Sequence, residues 1–530
     1  MRRLYVFAAA SVAALSLAST AGARVLLVGS YHGIPGQYHS IQAAVDAAKP
    51  NDWILIGPGD YKTASSRAPK GARTMPAGVL ITKAGLYLRG MNRNSVIVDG
   101  TKPGSSPCSR AQSAQNFGPA SSKGSMGLNG IEIWKANDVW VQNLTTCNFL
   151  GGSSGDGGTG NEVWWNGGSG SGKIGGHGYL GSYLNATSTF YAKNGGDKTA
   201  AQYGIFSSNW SGGTFSQDYA SNFSDSGFYI GACQQLCNQT IDRARSEYSA
   251  LGYSGSNAGG QLVIKNSEFD KNKDGFDTNS QNGDNPPPQN GACPNNGISP
   301  ITHTHSCWVF MDNYVHDNNN PNVPKVGAAG TAPLGTGMSI SGGRNDTVMN
   351  NRFVRNNAWG VILIPYPDSG PPCTGGTLGA LGPGSCLYDD WGDAVLQNSF
   401  SGNGAYGHPS NGDIAWLNFE TGHPTPCFSG NAEQGGGGVS TSPANLQQTN
   451  PSCNGSAVPA NGNGTFLNEV LCDAQVSLTG GPPSCPSGPY AQRSTVVMHP
   501  LPRNLPTMPN PCAGVPANPW CTAHRHPARA

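Results

Sequence analysis

The sequence predicts an all-β chain wound into a parallel β-helix, a single solenoid in which successive coils stack on one another. Three observations support this fold class. The 530 residues include 76 glycines and 39 prolines, which indicates many tight corners. Apolar residues reach 37% while charged residues are only 12%, so a large core lies under a weakly charged surface. A short motif of apolar residues and asparagines recurs along the chain, and internal repeats are typical of solenoids.

The charge balance excludes several classes of protein. The chain has 31 Lys and Arg against 30 Asp and Glu, a formal net charge of +1. This offers no basic field to nucleic acid or to an anionic membrane, so we expect neither as a partner. The apolar content is too high for a disordered chain, and glycine lacks the every-third-residue period of collagen.

The first 23 residues are typical of an export signal. Met1–Arg3 is basic, Leu4–Leu17 is apolar, and Ser19–Ala23 has the small residues that signal peptidase accepts. The apolar run is shorter than the roughly 18–20 residues that a membrane span needs. We therefore expect a signal peptide over residues 1–23, a mature chain from Arg24, no membrane span, and a secreted, extracellular protein.

The chain contains 14 cysteines, an even number that suits an oxidising compartment. Several lie close together within loops: Cys233/Cys237, Cys293/Cys307 and Cys373/Cys386. The Cys-x3-Cys at 233–237 has no second pair at zinc-finger spacing, so disulfides that pin loops are favoured over a metal. Spacing alone leaves the connectivity open.

The repeating unit is apolar-x-Asn-x-x-apolar-x-x-Asn. Its copies, two of them with a changed first Asn, are Ile264/Asn266/Phe269/Asn272, Val348/Asn350/Phe353/Asn356, Phe310/Asp312/Val315/Asn318 and Val395/Gln397/Phe400/Asn403. Asn and Gly accept the left-handed backbone that a sharp corner requires. We expect the leading apolar residues to form one core column and the Asn amides of successive corners to form a hydrogen-bonded ladder.

The spacing of the coils argues against other β architectures. Coil starts at Gly204, Gly227, Gly252 and Gly275 recur about every 23–25 residues. A β-propeller would need about 40–45 residues per blade with an aromatic signature. A sandwich would need hairpin turns between most strands, and neither pattern is present.

Residues 38–61, YHSIQAAVDAAKPNDWILIGPGDY, combine a helical stripe with a following Pro-Gly-x-Tyr strand. Ile41, Ala44, Val45 and Ala48 fall at helical spacing and give one apolar face. The segment resembles the amino-terminal cap of right-handed parallel β-helix proteins, the pectin-lyase-like superfamily. The resemblance implies a right-handed solenoid whose first coil is closed by this helix, which also hides the edge strand.

We expect the β-helix to occupy residues 24–430 and an irregular region, rich in Gly, Pro and Cys, to occupy residues 431–530. Three loops of the later coils are long: Asn279–Ser306, Asn319–Thr336 and Pro365–Asp390. Insertions at one corner of a stack gather on one side of it. We therefore expect these loops to wall a groove.

Ionisable residues are densest between Glu268 and Asp277. Asp274-Gly275-Phe276-Asp277 is similar to the Asp-Gly-x-Asp corner with which a family of pectate lyases holds calcium. The resemblance implies a calcium site at Asp274 and Asp277, and Asp270 is a further candidate ligand, because calcium takes several hard oxygen ligands. β-Elimination needs a neutralised uronate and a base, for which Lys273, Lys271 and Arg243 are candidates if burial or neighbouring cations lower their pKa.

Other readings of these motifs stay open. An Asp at a solenoid corner also caps backbone amides, so the same residues fit a structural role. Gly176-His177-Gly178 is similar to a motif of polygalacturonase-like hydrolases, but the aspartates and the Arg-x-Lys of that pattern are missing. His303 and His305 alternate on one strand edge, yet two ligands do not complete a metal site.

Aromatic side chains offer apolar platforms for sugar rings, and Trp164, Trp165 and Tyr366 are the candidates for substrate binding. Together these features favour a secreted, monomeric protein that acts on an extracellular polysaccharide. The leading hypothesis is a calcium-dependent lyase that cleaves an acidic (uronate) glycan by β-elimination. A non-catalytic glycan-binding or structural β-helix is the alternative.

Overall fold

Three parallel sheets run along the molecule, and most coils add one strand to each sheet in the order sheet 1, sheet 2, sheet 3. The structure is a computed structural model that describes residues 22–63, 68, 76–155, 158–168, 173–283, 287–453, 462–477 and 481–521. Residues 1–21 of the predicted signal peptide lie outside the described residues. The parallel pairing confirms the predicted fold, a right-handed parallel β-helix.

The strands and helices have the following bounds. Sheet 1 contains Val25–Val28, Trp53–Ile56, Tyr87–Gly90, Val139–Gln142, Tyr179–Ser182, Gly213–Ser216, Gln239–Asp242, Leu262–Lys265, Trp308–Met311, Asp346–Met349, Ala394–Leu396 and Cys427–Ser429. Sheet 2 contains Gly59–Lys62, Val96–Asp99, Thr145–Cys147, Asn185–Thr187, Tyr219–Ser221, Arg245–Glu247, Glu268–Asp270, Tyr314–His316, Arg352–Val354, Ser399–Ser401 and Ala432–Glu433. Sheet 3 contains Ala77–Ile81, Asn129–Trp134, Asn161–Asn166, Tyr203–Ser208, Ser226–Gly231, Leu251–Ser256, Asp277–Asn279, Thr336–Ser341, Trp359–Ile364, Gly412–Trp416 and Thr441–Ser442.

Shorter elements decorate the stack. The minor strands are Ser30–Tyr31, Ile34–Pro35, Ala120–Ser121, Gly124–Ser125, Gly176–His177, Trp210–Ser211, Tyr366–Ser369, Thr377–Leu378 and Ser385–Tyr388. The α-helices are α1 (Ile41–Ala47), α2 (Gly196–Thr199), α3 (Leu446–Thr449) and α4 (Gly464–Ala474), and 3-10 turns span Gln112–Ala114, Pro294–Asn296 and Ala328–Thr331. In the described part of the chain, no helix has the length and apolar character of a membrane span.

The core column is formed as expected. Ile264 pairs in register with Phe310, Phe310 with Val348, and Val348 with Val395. All four side chains are fully buried. The repeat therefore places residues from four coils in one line inside the solenoid.

Asparagine ladders run along both corners that flank sheet 2. At the second corner they are the predicted residues: Asn272 donates to Asn318, Asn318 to Asn356 and Asn356 to Asn403, with N···O distances of 3.1–3.2 Å. At the first corner the ladder lies one residue later than expected, on Asn313, Asn351, Asn398 and Asn431. The predicted residues Asn266, Asp312, Asn350 and Gln397 instead take the left-handed backbone, with φ of 51–56°.

Glycines let successive coils approach closely near the beginning of their sheet 3 strands. A Cβ atom on Gly337 would lie 2.5 Å from the carbonyl oxygen of Gly360, and one on Gly275 would lie 2.5 Å from that of Gly337. Atoms cannot approach so closely without displacing the backbone. The recurring glycine is therefore a steric requirement of the stack.

The predicted cap is present at the amino-terminal end. The Ser40 hydroxyl accepts a hydrogen bond from the Ala43 amide, which starts α1. Ile41, Ala44 and Val45 are buried against the first coil. The helix thus covers apolar surface that the solenoid would otherwise expose.

All fourteen cysteines form disulfides, as predicted, and the pairs resolve the connectivity that spacing left open. The pairs are Cys108–Cys147, Cys233–Cys237, Cys293–Cys307, Cys373–Cys386, Cys427–Cys453, Cys472–Cys485 and Cys512–Cys521.

The three long loops flank sheet 3 from two corners, whereas one shared corner was expected. The segments after Asn279 and Ile364 lead from sheet 3 to sheet 1, but the segment after His316 leads from sheet 2 to sheet 3. Insertions on both sides of one sheet make two opposing walls. Sheet 3 is the floor between them.

The chain beyond residue 430 does not leave the stack at once. Strands of sheets 2 and 3 follow at 432–433 and 441–442, and α4 then packs its Phe466 against Trp359. Residues 481–521, here called the strap, run back along the solenoid. Its contacts pair Tyr490 with Asn411, His499 with Asn222, Met508 with Asn143, and Trp520 with Ile34.

Candidate active site on sheet 3

The outer face of sheet 3 carries one register column from coil to coil. Trp164 pairs with Phe206, Phe206 with Tyr229, Tyr229 with Ser254, and Ser254 with Asp277. Successive side chains on a strand point to opposite faces, so this column faces away from the core. Along this column three aromatic residues are followed, after Ser254, by the carboxylate of Asp277.

Four rings form a cluster at the aromatic end of this column. Trp164 stacks on Phe206 with centroids 4.8 Å apart and planes at 5°, and Tyr203 and Tyr229 lie 4.5 and 4.7 Å from Phe206. Trp164 is half-buried, and its indole donates to the Ser208 hydroxyl at 3.0 Å. The candidate Trp165 points to the other face, where it is fully buried in the core and donates to the Val139 carbonyl. Of the two predicted tryptophans, only Trp164 lies where a sugar ring can reach it.

A cleft of about 380 Å³ lies on sheet 3 next to these rings, a size that holds a small ligand. One wall is the segment 328–333, the opposite wall is the segment 364–387 with Phe419, and α4 with Val476 closes the end. These walls are largely apolar. The polar groups include Asp225, Asp277, Asn279 and Tyr366.

Asp277 has both carboxylate oxygens engaged. Oδ1 accepts from the Ser341 hydroxyl and Oδ2 from the Asn279 amide, each at 2.8 Å. Burial raises the pKa of Asp277 to about 6, although both hydrogen bonds favour the ionised form. The Oδ1 oxygen of Asn279 is buried and has no hydrogen-bond partner within the described ranges.

Asp225 is the second carboxyl group of the cleft, and it was not predicted. Its Oδ2 accepts from the Tyr203 hydroxyl at 2.8 Å, while Oδ1 is buried without a partner among the residues that the structure describes. Burial raises the pKa of Asp225 to about 7, and the charge of Asp277 raises it further. No motif in the sequence marks Asp225: it lies two residues before Gly227, whereas Asp274 directly precedes Gly275 two coils later.

Tyr366 lines the same cleft as Asp277, so the structure brings these two predicted residues together. Burial raises the pKa of its phenol well above the usual value, and the charges of Asp277 and Asp368 add to this effect. The phenol therefore keeps its proton at neutral pH. It can act as a hydrogen-bond donor to a ligand.

Asp274 and Lys273 lie next to the cleft but do not line it. Asp274 is fully buried, accepts from the Ser339 hydroxyl at 2.6 Å and from the Phe276 amide at 3.1 Å, and burial raises its pKa far above the usual value. Lys273 is buried as well, and its Nζ donates to the carbonyl oxygens of Gly330 and Ala332. Burial lowers the pKa of Lys273 to about 8, opposed by the charge of Asp473 in α4.

The remaining predicted residues lie elsewhere on the solenoid. Asp270 belongs to sheet 2, where it is fully buried and pairs with Arg245 and Lys271 at 3.0 and 2.5 Å. Arg243 lies at the corner between sheets 1 and 2 and pairs with Asp242 at 2.6 Å. Asp270, Asp274 and Asp277 are therefore not assembled around one ion, and this predicted calcium set does not fit the structure.

The histidines singled out by the sequence do not join the cleft. His177, His303 and His305 are exposed, and none of them lines it. A different histidine, His316, lies with Glu268 and Asp270 on sheet 2, where their potential ligand atoms lie within 4.8 Å of one another. Arg245 and Lys271 already neutralise that group.

Comparison with known proteins supports only a likeness of fold. No family model and no curated protein sequence matches the chain. Among solved structures it is similar to the A-module of the Azotobacter vinelandii mannuronan C-5 epimerase AlgE6, with 12% identity, a TM-score of 0.45, and coverage of 76% of this chain and 90% of that chain. It is also similar to an alginate lyase from Paenibacillus sp. str. FPU-7 (11% identity, TM-score 0.36, coverage 78% and 96%) and to pectate lyase Pel9A (13%, 0.33, 72% and 77%). The parallel β-helix that the predicted resemblance implies is the fold of the structure.

Proposed function

We propose that the protein binds an extracellular polysaccharide and cleaves a glycosidic bond in the cleft on sheet 3. The observation that carries this proposal is the placement of two carboxyl groups, Asp225 and Asp277, in one cleft with largely apolar walls. Enzymes that hydrolyse glycosidic bonds use such a pair, one group protonated and the other ionised. The pKa values of about 7 and about 6 give the two groups that difference near neutral pH.

The roles follow from the environments of the two groups. Asp225 has the higher pKa and is the proton donor: its proton passes to the glycosidic oxygen as the bond to the anomeric carbon breaks. Asp277 is the base, and its carboxylate takes a proton from the water that attacks the anomeric carbon. The hydrogen bonds from Ser341 and Asn279 hold this carboxylate in place and favour its ionised form.

The surroundings of the pair suit a sugar ligand. Tyr203 and Tyr229 line the cleft, and half-buried Trp164 lies at the far edge of their ring cluster. Aromatic faces bind the apolar faces of sugar rings. Seven disulfides suit an oxidising, extracellular setting, which fits the predicted export signal.

The test is release of reducing ends from a panel of neutral, basic and acidic glycans. We expect at least one glycan to be cleaved, and Asp225→Asn and Asp277→Asn each to lose about 100-fold or more in rate. Asp312→Asn is the control, because Asp312 is an exposed corner residue outside the cleft. Cleavage that survives both cleft substitutions would contradict the proposal.

A second chemistry is the predicted calcium-dependent β-elimination of a uronate. One observation favours it: the unpartnered oxygens Asp225 Oδ1 and Asn279 Oδ1 belong to cleft residues and are of the type that calcium takes as ligands. Bound calcium would neutralise the uronate carboxylate. Against it, the described lining offers no lysine or arginine as a base.

The two chemistries leave different products. Hydrolysis yields new reducing ends without a new double bond, whereas β-elimination yields an unsaturated sugar that absorbs ultraviolet light. The same digests, measured by both methods with and without a chelator, separate them. An ultraviolet signal that the chelator abolishes would favour the lyase over the hydrolase.

A further inference from the structure

We propose that the glycan taken by the cleft on sheet 3 is a neutral one whose amino sugars carry N-acyl groups. This inference rests on the proposed function and names the substrate class of the same site. It is argued from the charge of the lining, the chemistry of the walls and the hydrogen-bonding groups at the floor.

The charge of the cleft disfavours an anionic ligand. Its described lining contains two carboxyl groups, Asp225 and Asp277, and no lysine, arginine or histidine. Lys273 precedes Asp277 by four residues in the sequence, but it is buried and its Nζ donates to the carbonyls of Gly330 and Ala332. A uronate would therefore enter against negative charge, with no described cation of the lining to meet it.

The walls disfavour a free ammonium or a bare hydroxyl. Ala329 and Pro333 form part of one wall, Leu387 and Phe419 part of the opposite one, and Leu471 of α4 closes the end. A polar group pressed against these side chains loses water without gaining a hydrogen bond. The methyl of an acyl group gains from the same burial.

The floor supplies partners for an amide. Tyr366 keeps its proton and can donate to an acyl carbonyl. Asn279 is only 4% exposed, and its Oδ1 is an acceptor without a partner in the described chain, which suits the amide N–H. An N-acyl group thus matches the donor, the acceptor and the apolar walls, while a de-acylated amine or a uronate matches fewer of them.

The test compares three oligomers of similar length, each titrated into the full-length protein by calorimetry at pH 7. They are oligomers of N-acetylglucosamine (neutral, acylated), glucosamine (cationic) and a uronate (anionic, with and without calcium). We expect the N-acetylated oligomer to bind at least about ten-fold more tightly than the other two. Phe419→Ser should reduce that preference several-fold, because exposed Phe419 lines the cleft.

Leu378→Ser is the matched control, since Leu378 is exposed and lies outside the cleft lining. Tighter binding of the uronate or of the glucosamine oligomer would overturn the inference and leave glycan cleavage standing. So would cleavage of another glycan by the wild-type protein when none of the three oligomers binds. Failure to bind or cleave any glycan of the wider panel would overturn the proposed function itself.

Discussion

Lys273 shows how burial changes the role of a residue. The sequence offers it as a base, but its ammonium holds the carbonyls of Gly330 and Ala332 and faces Asp473 of α4. The segment 328–333 and α4 are two boundaries of the cleft. Lys273 is therefore a positioning residue: it does not line the cleft, but it holds the segment 328–333 through two hydrogen bonds and interacts electrostatically with Asp473 of α4.

Replacing Lys273 with Met should loosen both boundaries. The substitution leaves the carbonyls of Gly330 and Ala332 without their buried hydrogen-bond donor, which costs about 1–3 kcal/mol. Hydrogen exchange should then accelerate in residues 327–335 and 464–474. In the control Lys271→Met, the ion pairs of a partly exposed lysine with Asp270 and Glu247 are lost, but Arg245 still pairs with both carboxylates. Hydrogen exchange in residues 327–335 and 464–474 should therefore stay unchanged. Equal effects of the two substitutions would refute this role.

The pH dependence of cleavage should reflect the two cleft carboxyls. Activity needs Asp277 ionised and Asp225 protonated, so the rate should peak between pH about 6 and about 7 and fall on both sides. Burial is the main cause of the raised pKa of Asp225, and in Asp277→Asn the additional effect of the Asp277 charge is gone. Carboxyl NMR should then show a lower pKa for Asp225, and an unchanged value would contradict the proximity of the two groups.

Only some residues of the cleft could be predicted from the sequence. Asp277 and Tyr366 could be singled out because a corner motif and an aromatic mark them. Asp225 could not, since its oxygens meet the cleft only through the stacking of coils two turns apart. Trp164 and Trp165 are both aromatic, so only the pleat of the folded strand decides which one points into the core.

At the scale of elements, the repeat determined most of what could be foreseen. The core column and the second asparagine ladder follow from spacing alone. The first ladder lies one residue later, because the residue at the predicted position takes the left-handed corner and the next one turns inward. Loop placement was harder, since loop length gives no information on which side of sheet 3 a loop leaves.

Two neighbouring asparagines allow the ladder and the left-handed corner to be tested separately. Asn351 donates to the Phe310 carbonyl and to Asn398 and accepts from the backbone and side chain of Asn313. Asn351→Ala should therefore lower the free energy of unfolding by about 2–4 kcal/mol, because buried partners lose their hydrogen bonds. Asn350→Gly, at an exposed left-handed corner, should change it by less than about 1 kcal/mol. Denaturant unfolding of both variants measures the difference, and similar losses would count against the ladder.

For the whole molecule, buried carboxyl groups predict how stability varies with pH. Burial raises the pKa of Glu132 and of Asp218 to about 7, well above the value of about 4 in an unfolded chain. The folded state thus binds more protons, so this stabilisation is full below pH about 4 and is lost as pH rises through about 7.

The melting temperature should fall by several degrees between pH 5 and pH 8. Glu132→Gln should reduce that slope, because one of the raised groups is removed while its hydrogen bonds with Asn129 and Asn166 can be kept in part. A melting temperature that rises over this interval would show that other groups dominate.

The strap can cover the first coils only late in biosynthesis, because it follows them by hundreds of residues in the sequence. Trp520 packs with Leu27, Trp53 and Leu55 on the outside of the first coils. The ribosome delivers those coils hundreds of residues before residue 520, so their aromatic and aliphatic flank stays bare throughout translation. A product cut short before this point keeps that flank uncovered, and chaperones and proteases recognise exposed apolar surface. Arrival of Trp520 therefore covers the apolar flank of the first coils.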